Sequence, residues 1–353
     1  MSRLAIVLFN LGGPDSLEAV RPFLRNLFSD PAIIAAPGPV RWLLARLIST
    51  RRASHAREIY RQIGGRSPLL PETETQARAL EAALRERLPK IAEVRAFPCM
   101  RYWHPMSEAV ARQVVDFAPA QVVLLPLYPQ FSTATSRSSL TDWRRAAAAA
   151  GLSAPQRAVC CYPRDAGFIA AQAALIAPAL RQAAAKGKPR LLLSAHGLPK
   201  KVIARGDPYQ WQVEATCAAI VEDLATAGLN DIDWRTCYQS RVGPLEWIGP
   251  ATDDEIERAG RDGVPVVLAP VAFVSEHSET LVELDIEYRE LAGNAGVPAY
   301  LRVAAVGTEA AFIGGLAELV RDALALPAGV AGRVDGQRLC PAAFGQCGCG
   351  LVA

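Results

Sequence analysis

The sequence predicts an α/β protein built from two successive, topologically similar, doubly wound domains. Three observations carry that expectation. First, unbroken apolar runs recur along the chain: RLAIVLFN, VRAFPCM, AQVVLLPLY, PRLLLSAH, DIDWRTCYQ, PVVLAPVAF and YLRVAAV. Runs with no polar alternation suit parallel strands covered on both faces. Second, Ala- and Leu-rich amphipathic spacers such as SEAVARQVVDFA and AAQAALIAPALRQAAAKG stand between them and supply helical crossovers. Third, the two halves end their strands in parallel fashion. NLGGP, MRYWHP and LYPQFS occur in the first, and SAHGLP, YQSRVGP and VSEHSE at similar intervals in the second. The expected organisation is a domain over 1–160, a second over 161–325, and a Cys-rich tail over 326–353.

The chain has 353 residues, 51% hydrophobic and 21% charged, which fits a globular protein and excludes disorder. A formal charge of +3, without any Lys/Arg run, argues against a nucleic-acid partner. No apolar stretch approaches the roughly 18 residues needed to span a bilayer. The N-terminus lacks a cleavable signal pattern, so the expected location is the cytoplasm. Clustered thiols in such a chain point to a metal or cluster rather than to disulfides. Three of the eight cysteines fall in CPAAFGQCGC, and Cys160 and Cys161 are adjacent.

Ligands of open α/β sheets bind outside the carboxyl ends of the strands. Asn10, Arg101, Tyr128, Ser132, His196, Gln239, Ser240 and His277 are the polar residues at those ends. The glycines of NLGGP and IGGRSP lack both the P-loop lysine and the GxGxxG pattern, which excludes a nucleotide site of either kind. Residues 32–52 combine Trp42, Leu43, Leu47 and Ile48 with Arg41, Arg46, Arg51 and Arg52, and no acid lies between Asp30 and Glu58. Such a segment suits a membrane interface or an apolar lip on a cleft.

SEHSETLVELD presents the densest chemistry. With Ser275 as an expected helix cap, Glu276 and Glu279 fall in a first turn, where the helix dipole favours negative charge. That benefit does not explain the remaining acids. Glu283, Glu287 and Glu290 continue at three- and four-residue steps without an intervening Lys or Arg, although like charges at this spacing oppose helix formation. The row reads as a proton or cation path leading to His277. Imidazole and carboxylate together suit Fe(II), Zn(II) or Mn(II), and equally suit acid–base work. His196, in SAHGLP, is the second candidate base.

In order, NLGGP, YRQIGGRSPL, MRYWHP, LYPQFS, SAHGLP, RGDPY, YQSRVGPLEWIGP and FVSEHSETLVELDIEY resemble the signature segments of ferrochelatases, over about residues 3–315. The resemblance implies two Rossmann-like domains of chelatase type facing a central cleft. It also implies insertion of ferrous iron into protoporphyrin IX, the last step of heme synthesis, with release of two protons. His196 is then the base or the residue presenting the metal, with Glu279, His277 and Glu276 on the same wall. His196 and Glu279 meet the substrate iron, and Glu283 and Glu287 carry protons or cations onward. Leu11, Tyr60, Arg101, Tyr128, Ser132, Trp247 and Phe273 line the macrocycle, with Arg101 suited to a propionate. The lip at 32–52 implies peripheral association with the inner face of the cell membrane. The oligomeric expectation is a monomer or a homodimer.

The tail departs from the animal pattern. The internal cluster cysteine of the animal enzymes is Thr133 here, while VCCYP offers another thiol. The resemblance to cluster-bearing bacterial members implies a 2Fe-2S cluster on Cys340, Cys347, Cys349 and one of Cys160 or Cys161, with Cys161 preferred. A structural zinc on the same thiolates is the alternative. Cys99, Cys217 and Cys237 read as core residues. Alternative functions are a chelatase for coproporphyrin or another tetrapyrrole, and a non-catalytic tetrapyrrole- or metal-binding protein.

Overall fold

A computed structural model describes residues 3–332 and 338–350. The chain divides into two compact units. The first runs to Cys161 and takes in Leu316–Leu339 and the residues from Gly348 onward. The second comprises Tyr162–Gly315 and Cys340–Cys347. The sequence predicts a second domain ending at 325 and a separate tail over 326–353. In the structure, residues 316–332 and 338–339 return to the first unit, and the described part of the tail is shared between both. Residues 333–337 and 351–353 of that tail lie outside the described residues.

In the first unit the elements are β1 (Arg3–Asn10), α1 (Val20–Ser29), α2 (Gly38–Gln62), α3 (Leu69–Arg87), β2 (Glu93–Met100), α4 (Ser107–Phe117), β3 (Gln121–Pro126), α5 (Ser136–Ala149) and β4 (Gln156–Val159). The second unit holds α6 (Ala166–Ala183), β5 (Arg190–His196), α7 (Lys200–Ala204), α8 (Tyr209–Thr226), β6 (Asp233–Gln239), α9 (Thr252–Asp262) and β7 (Val266–Pro270). A π-helix (Glu279–Glu287), α10 (Tyr288–Asn294) and β8 (Tyr300–Arg302) follow. α11 (Ala310–Leu324) leads the chain back to β9 (Ala331–Gly332), which extends the first sheet.

Both sheets are entirely parallel among the described strands. The first has the order β2-β1-β3-β4-β9 and the second β6-β5-β7-β8. The first four strands of one therefore repeat the order of the four in the other. In each, the chain winds outward to opposite sides of its first strand, which puts a switch point beside β1 and another beside β5. β1 is buried from Leu4 to Asn10, as a strand covered on both faces must be. In the first core, Trp143 is fully buried, edge-on to Phe9 at 6.0 Å, and its indole N–H donates to Gln156 at 2.8 Å. A large aromatic thus fills the core without orphaning its polar handle. The second core gathers Leu192, Ile256, Val266, Leu268, Leu284 and Tyr288 between the sheet and its helices.

Two expectations are corrected. Ser275 does not cap the acidic helix. That helix begins at Glu279, and Ser275 is buried in the connection before it. Its first nine residues are π-helical, so the spacing that joins neighbouring turns widens from the one assumed for an α-helix. In addition, Ala166–Lys186 is long and apolar enough by length and composition to span a membrane. Half of that window is buried, and α6 packs on α8 with Pro178 inside it, as a core helix of this unit. Its apolarity comes largely from alanine, so the stretch lacks the Leu, Ile and Val density of a spanning segment.

Candidate active site

His196 is the last residue of β5, in register with Gln239 of β6. Three contacts fix its ring and backbone. Nδ1 lies 2.7 Å from the carbonyl of Gly197; since a carbonyl can only accept, the neutral ring carries its proton on Nδ1 and leaves a lone pair on Nε2. The Tyr209 hydroxyl donates to the His196 carbonyl at 3.0 Å. Trp247 stacks on the imidazole with ring centroids 6.5 Å apart. A side chain at Gly197 would stand 3.0 Å from the Gln239 carbonyl and 3.2 Å from the Trp247 ring, so glycine is needed for this close approach.

The free nitrogen of His196 faces an acid. Nε2 is 3.7 Å from Oε1 of Glu279, the first residue of the π-helix. The other oxygen of Glu279 is buried without a hydrogen-bond partner, an arrangement that leaves a carboxylate open to a proton or a cation. The backbone N–H of Glu279 donates to Nδ1 of His277 at 2.9 Å, which puts the neutral proton of His277 on Nε2. Phe273 meets the His277 ring edge-to-face at 4.2 Å. Burial lowers the proton affinity of His277, against the opposing pull of Glu279 and Glu276. His277 is thus a neutral acceptor that supports the backbone of Glu279.

Glu283 lies one wide turn further on. Its carboxylate accepts from the backbone N–H of Ser240 at 2.8 Å, the Ser240 hydroxyl at 2.5 Å, the Tyr288 hydroxyl at 3.0 Å and, more weakly, Gln239 at 3.4 Å. Ser240 adopts a left-handed conformation with φ of 62°, uncommon for a non-glycine residue, and this aims both of its donors at Glu283. Burial raises the proton affinity of Glu283, and the charge of Glu279 raises it further. Glu287, at the end of the π-helix, is exposed. Glu279 and Glu283 are therefore part-buried, and the row reaches solvent at Glu287.

Glu276 does not share this row. Its Oε1 accepts from Arg302 at 2.5 Å and from the Ala305 N–H at 3.0 Å. The resemblance puts Glu276 on the same wall as His277, on which its charge acts, and the structure adds that this charge is matched by the largely enclosed Arg302 of β8.

The other expected residues belong to the first unit. Leu11 packs, part-buried, with Tyr60 and Tyr102 on the cluster of Val20, Phe23 and Leu24. Tyr128 and Ser132 are largely or fully enclosed, and the Tyr128 hydroxyl has no hydrogen-bond partner. Arg101 differs from its expected role. Its guanidinium donates to Asp30 and Ser138 at 2.8 and 2.7 Å, and Tyr102 donates to the same Asp30 oxygen at 2.9 Å. The carboxylate that Arg101 pairs is an internal one, and the pair fixes the bend that follows α1. Tyr209 and Tyr288 close the segments RGDPY and FVSEHSETLVELDIEY, whereas nothing local marks Asp30 or Arg302 as site residues.

Among the described residues, no three His, Cys, Asp or Glu side chains come together as a group able to hold a metal ion. The tail nonetheless has features suited to thiolate sulfur. Cys340 is buried, and the amide of buried Gln212 donates to its Sγ at 3.0 Å, a contact that favours a negatively charged sulfur. A side chain at Gly348 would lie 2.2 Å from the Phe131 ring, so only glycine fits between Cys347 and Cys349. Cys99, Cys217 and Cys237 are buried, with burial pushing each thiol up to about 12, the signature of inert core residues.

Comparison with known proteins completes the description. The ferrochelatase family model matches residues 3–324. A ferrochelatase of Caulobacter vibrioides (strain NA1000 / CB15N) is 56% identical over 347 residues, covering 98% of this chain and 97% of that protein. That of Phenylobacterium zucineum is 56% identical, covering 98% of each. Among solved structures, SirB from Bacillus subtilis with Fe3+ superposes with a TM-score of 0.51 at 12% identity, covering 92% of this chain and 96% of that one. That likeness concerns the fold.

Proposed function

The chain belongs to the ferrochelatase family, an enzyme that inserts iron into a porphyrin in heme synthesis, and from that premise we propose how its own residues perform the insertion. The porphyrin is protoporphyrin IX, and the reaction is Fe(II) plus porphyrin giving heme and two protons. Both protons leave ring nitrogens as the metal arrives, so the protein must supply a base at the macrocycle and a route away from it. His196 is the base. Its Nδ1–H is held by Gly197, its Nε2 lone pair is free, and Glu279 stands behind that atom to stabilise the imidazolium that forms. Glu283 receives the proton, being the acid whose affinity is raised, and Glu287 returns it to water. The same carboxylate and imidazole can present the substrate iron. Trp247 and Phe273 border the ring, as do Leu11, Tyr60, Tyr128 and Ser132. A site complementary to a buckled macrocycle would expose a nitrogen lone pair to the metal, so that substrate strain favours the transition state.

The observation that carries this reading is the 3.7 Å approach of His196 Nε2 to Glu279 Oε1. The test is anaerobic assay of purified protein with ferrous iron and either protoporphyrin or coproporphyrin, followed by heme absorbance. Faster turnover of protoporphyrin is expected. A coproporphyrin preference would move the assignment to that substrate. Binding without turnover would favour a tetrapyrrole-binding protein.

Two further features belong to this proposal. The lip is a membrane-surface contact at the cytoplasmic face: Val40, Trp42, Leu43 and Leu47 of α2 are exposed, and the Arg46 guanidinium lies over the Trp42 ring. Loss of sedimentation with anionic vesicles in Trp42→Ser/Leu43→Ser would establish it, and equal sedimentation would remove it. Cys340, Cys347, Cys349 and Cys161 or Cys160 are the thiols that would hold a 2Fe-2S cluster, which would supply one-electron chemistry apart from the insertion reaction. The thiolate-favouring contact at Cys340 supports the donor chemistry. Iron and sulfide analysis of anaerobically purified protein tests it, with zinc as the opposing outcome.

A further inference from the structure

We propose that Tyr300 and Arg302, the two ends of the three-residue strand β8, are positioning residues that hold the π-helix Glu279–Glu287 in register. They thereby set the spacing from Glu279 to Glu283. This rests on the proton route proposed above.

A π-helix is rare and keeps its wider turn only where its surroundings impose it. Here the ties come from β8. Arg302 donates through Nη1 to Glu276 at 2.5 Å, just before the helix, and through Nη2 to Asp285 at 3.1 Å, within it. One planar guanidinium thus spans the segment that contains His277, Glu279 and Glu283. Tyr300 donates its hydroxyl to the Leu284 carbonyl at 2.5 Å, between the two carboxylates that Arg302 and Glu283's own partners engage. Arg289 reinforces the joint from the other side. It donates to the Tyr300 carbonyl at 3.3 Å and to Asp285 at 2.6 Å, and stands 5.4 Å above the Tyr300 ring.

The anchor itself is fixed. β8 pairs with β7, with Tyr300 opposite Val266 and Arg302 opposite Leu268. β7 is also the strand whose continuation delivers Glu276 and His277, so the start of the helix and its tether share one sheet edge. Both partners of the Arg302–Glu276 pair are mostly enclosed, with side chains 10% and 17% exposed. Removing one partner would strand a buried charge, and a lysine cannot reproduce a fork that reaches two carboxylates. The pairing also sorts the acids. Glu276 and Asp285 are neutralised by arginine, while Glu279 is left open beside His196.

The test measures ferrous insertion at varied porphyrin concentration, together with thermal midpoints, for Tyr300→Phe, Arg302→Met, Arg302→Lys and Arg302→Met/Glu276→Gln. Tyr300→Phe should leave the KM for porphyrin unchanged while kcat falls at least about tenfold, within the roughly hundredfold that a 1 Å misplacement of reacting groups can cost. Arg302→Met should also lower the midpoint. Adding Glu276→Gln should recover much of that midpoint by removing the stranded charge, yet leave kcat at least about tenfold down. Arg302→Lys should fall between Met and native. Native kcat in both Tyr300→Phe and the double variant would overturn the proposal, as would a raised KM with kcat unchanged. Glu279→Gln in the native background separates the two levels. If it retains turnover, the proton route itself fails; if it is inactive while the β8 variants run at native kcat, only the positioning role fails.

Discussion

Nε2 of His196 stands 3.7 Å from Oε1 of Glu279, and neither group needs to move for its partner to be found. The imidazole is oriented by Gly197 and Tyr209, and the acid by a helix whose first N–H is taken by His277. Both side chains are therefore oriented by neighbouring groups before any ligand arrives.

His196→Ala and Glu279→Gln should each retain the fold and lose turnover. Loss of a positioned general base typically lowers kcat by about 10²–10⁴-fold. Circular dichroism alongside heme formation checks both statements. Native turnover in His196→Ala would remove the imidazole from the mechanism.

His277 gives a stability signature. Its folded proton affinity is lowered by burial, so the folded state binds fewer protons than the unfolded chain just below the ordinary histidine value of 6.5. Its contribution is present above that value and is lost as pH falls through the folded one, at up to about 1.4 kcal/mol per pH unit. Denaturant unfolding between pH 5 and 8 should show the native protein losing stability on acidification more steeply than His277→Gln. Equal slopes would mean that the ring is protonated as easily in the fold as outside it.

Glu283 has the opposite sign. Burial, then Glu279, raises its affinity, so its contribution is full below the ordinary carboxylate range and is lost as pH rises through the raised value. Glu283→Gln should therefore gain stability relative to the native chain at pH 7–8 while kcat falls. That combination marks a residue kept for its chemistry at the expense of the fold. A variant with lower stability and native kcat would contradict both halves.

Arg101 is expected to act on stability. Its partner Asp30 has a side chain only 3% exposed, so Arg101→Met would strand a buried carboxylate at about 3 kcal/mol or more. Asp30→Asn combined with Arg101→Met should recover part of that loss. If Arg101→Met instead raises only the KM for porphyrin, the guanidinium serves the substrate and its internal pair is incidental.

Much of this arrangement was readable in the linear chain. The apolar runs marked β1, β3, β5 and β7, because a strand buried on both faces has no room for alternation. Within each unit the polar residues at the strand ends gather along one edge of the sheet because parallel strands point their carboxyl ends the same way. Asn10 and His196 occupy equivalent places in two sheets of matching order. The helix type was not readable. Four-residue steps of glutamate fit both an α- and a π-helix, and the choice depends on where carbonyls such as that of Leu284 find donors. Nor was the fate of Glu276, which looks identical to Glu279 from local sequence. Its partner is Arg302, brought in by the pairing of β8 with β7.

The sequence by itself determined which groups this protein possesses for its chemistry, the two parallel sheets that carry them, and the family it belongs to, since apolar periodicity and strand-end motifs are local properties of the chain. The tertiary structure alone decided which of its acids are open and which are spent in ion pairs, because that depends on contacts between residues remote in sequence. It also decided which nitrogen of His196 is free. Charge and proton position answer to the nearest donor in space.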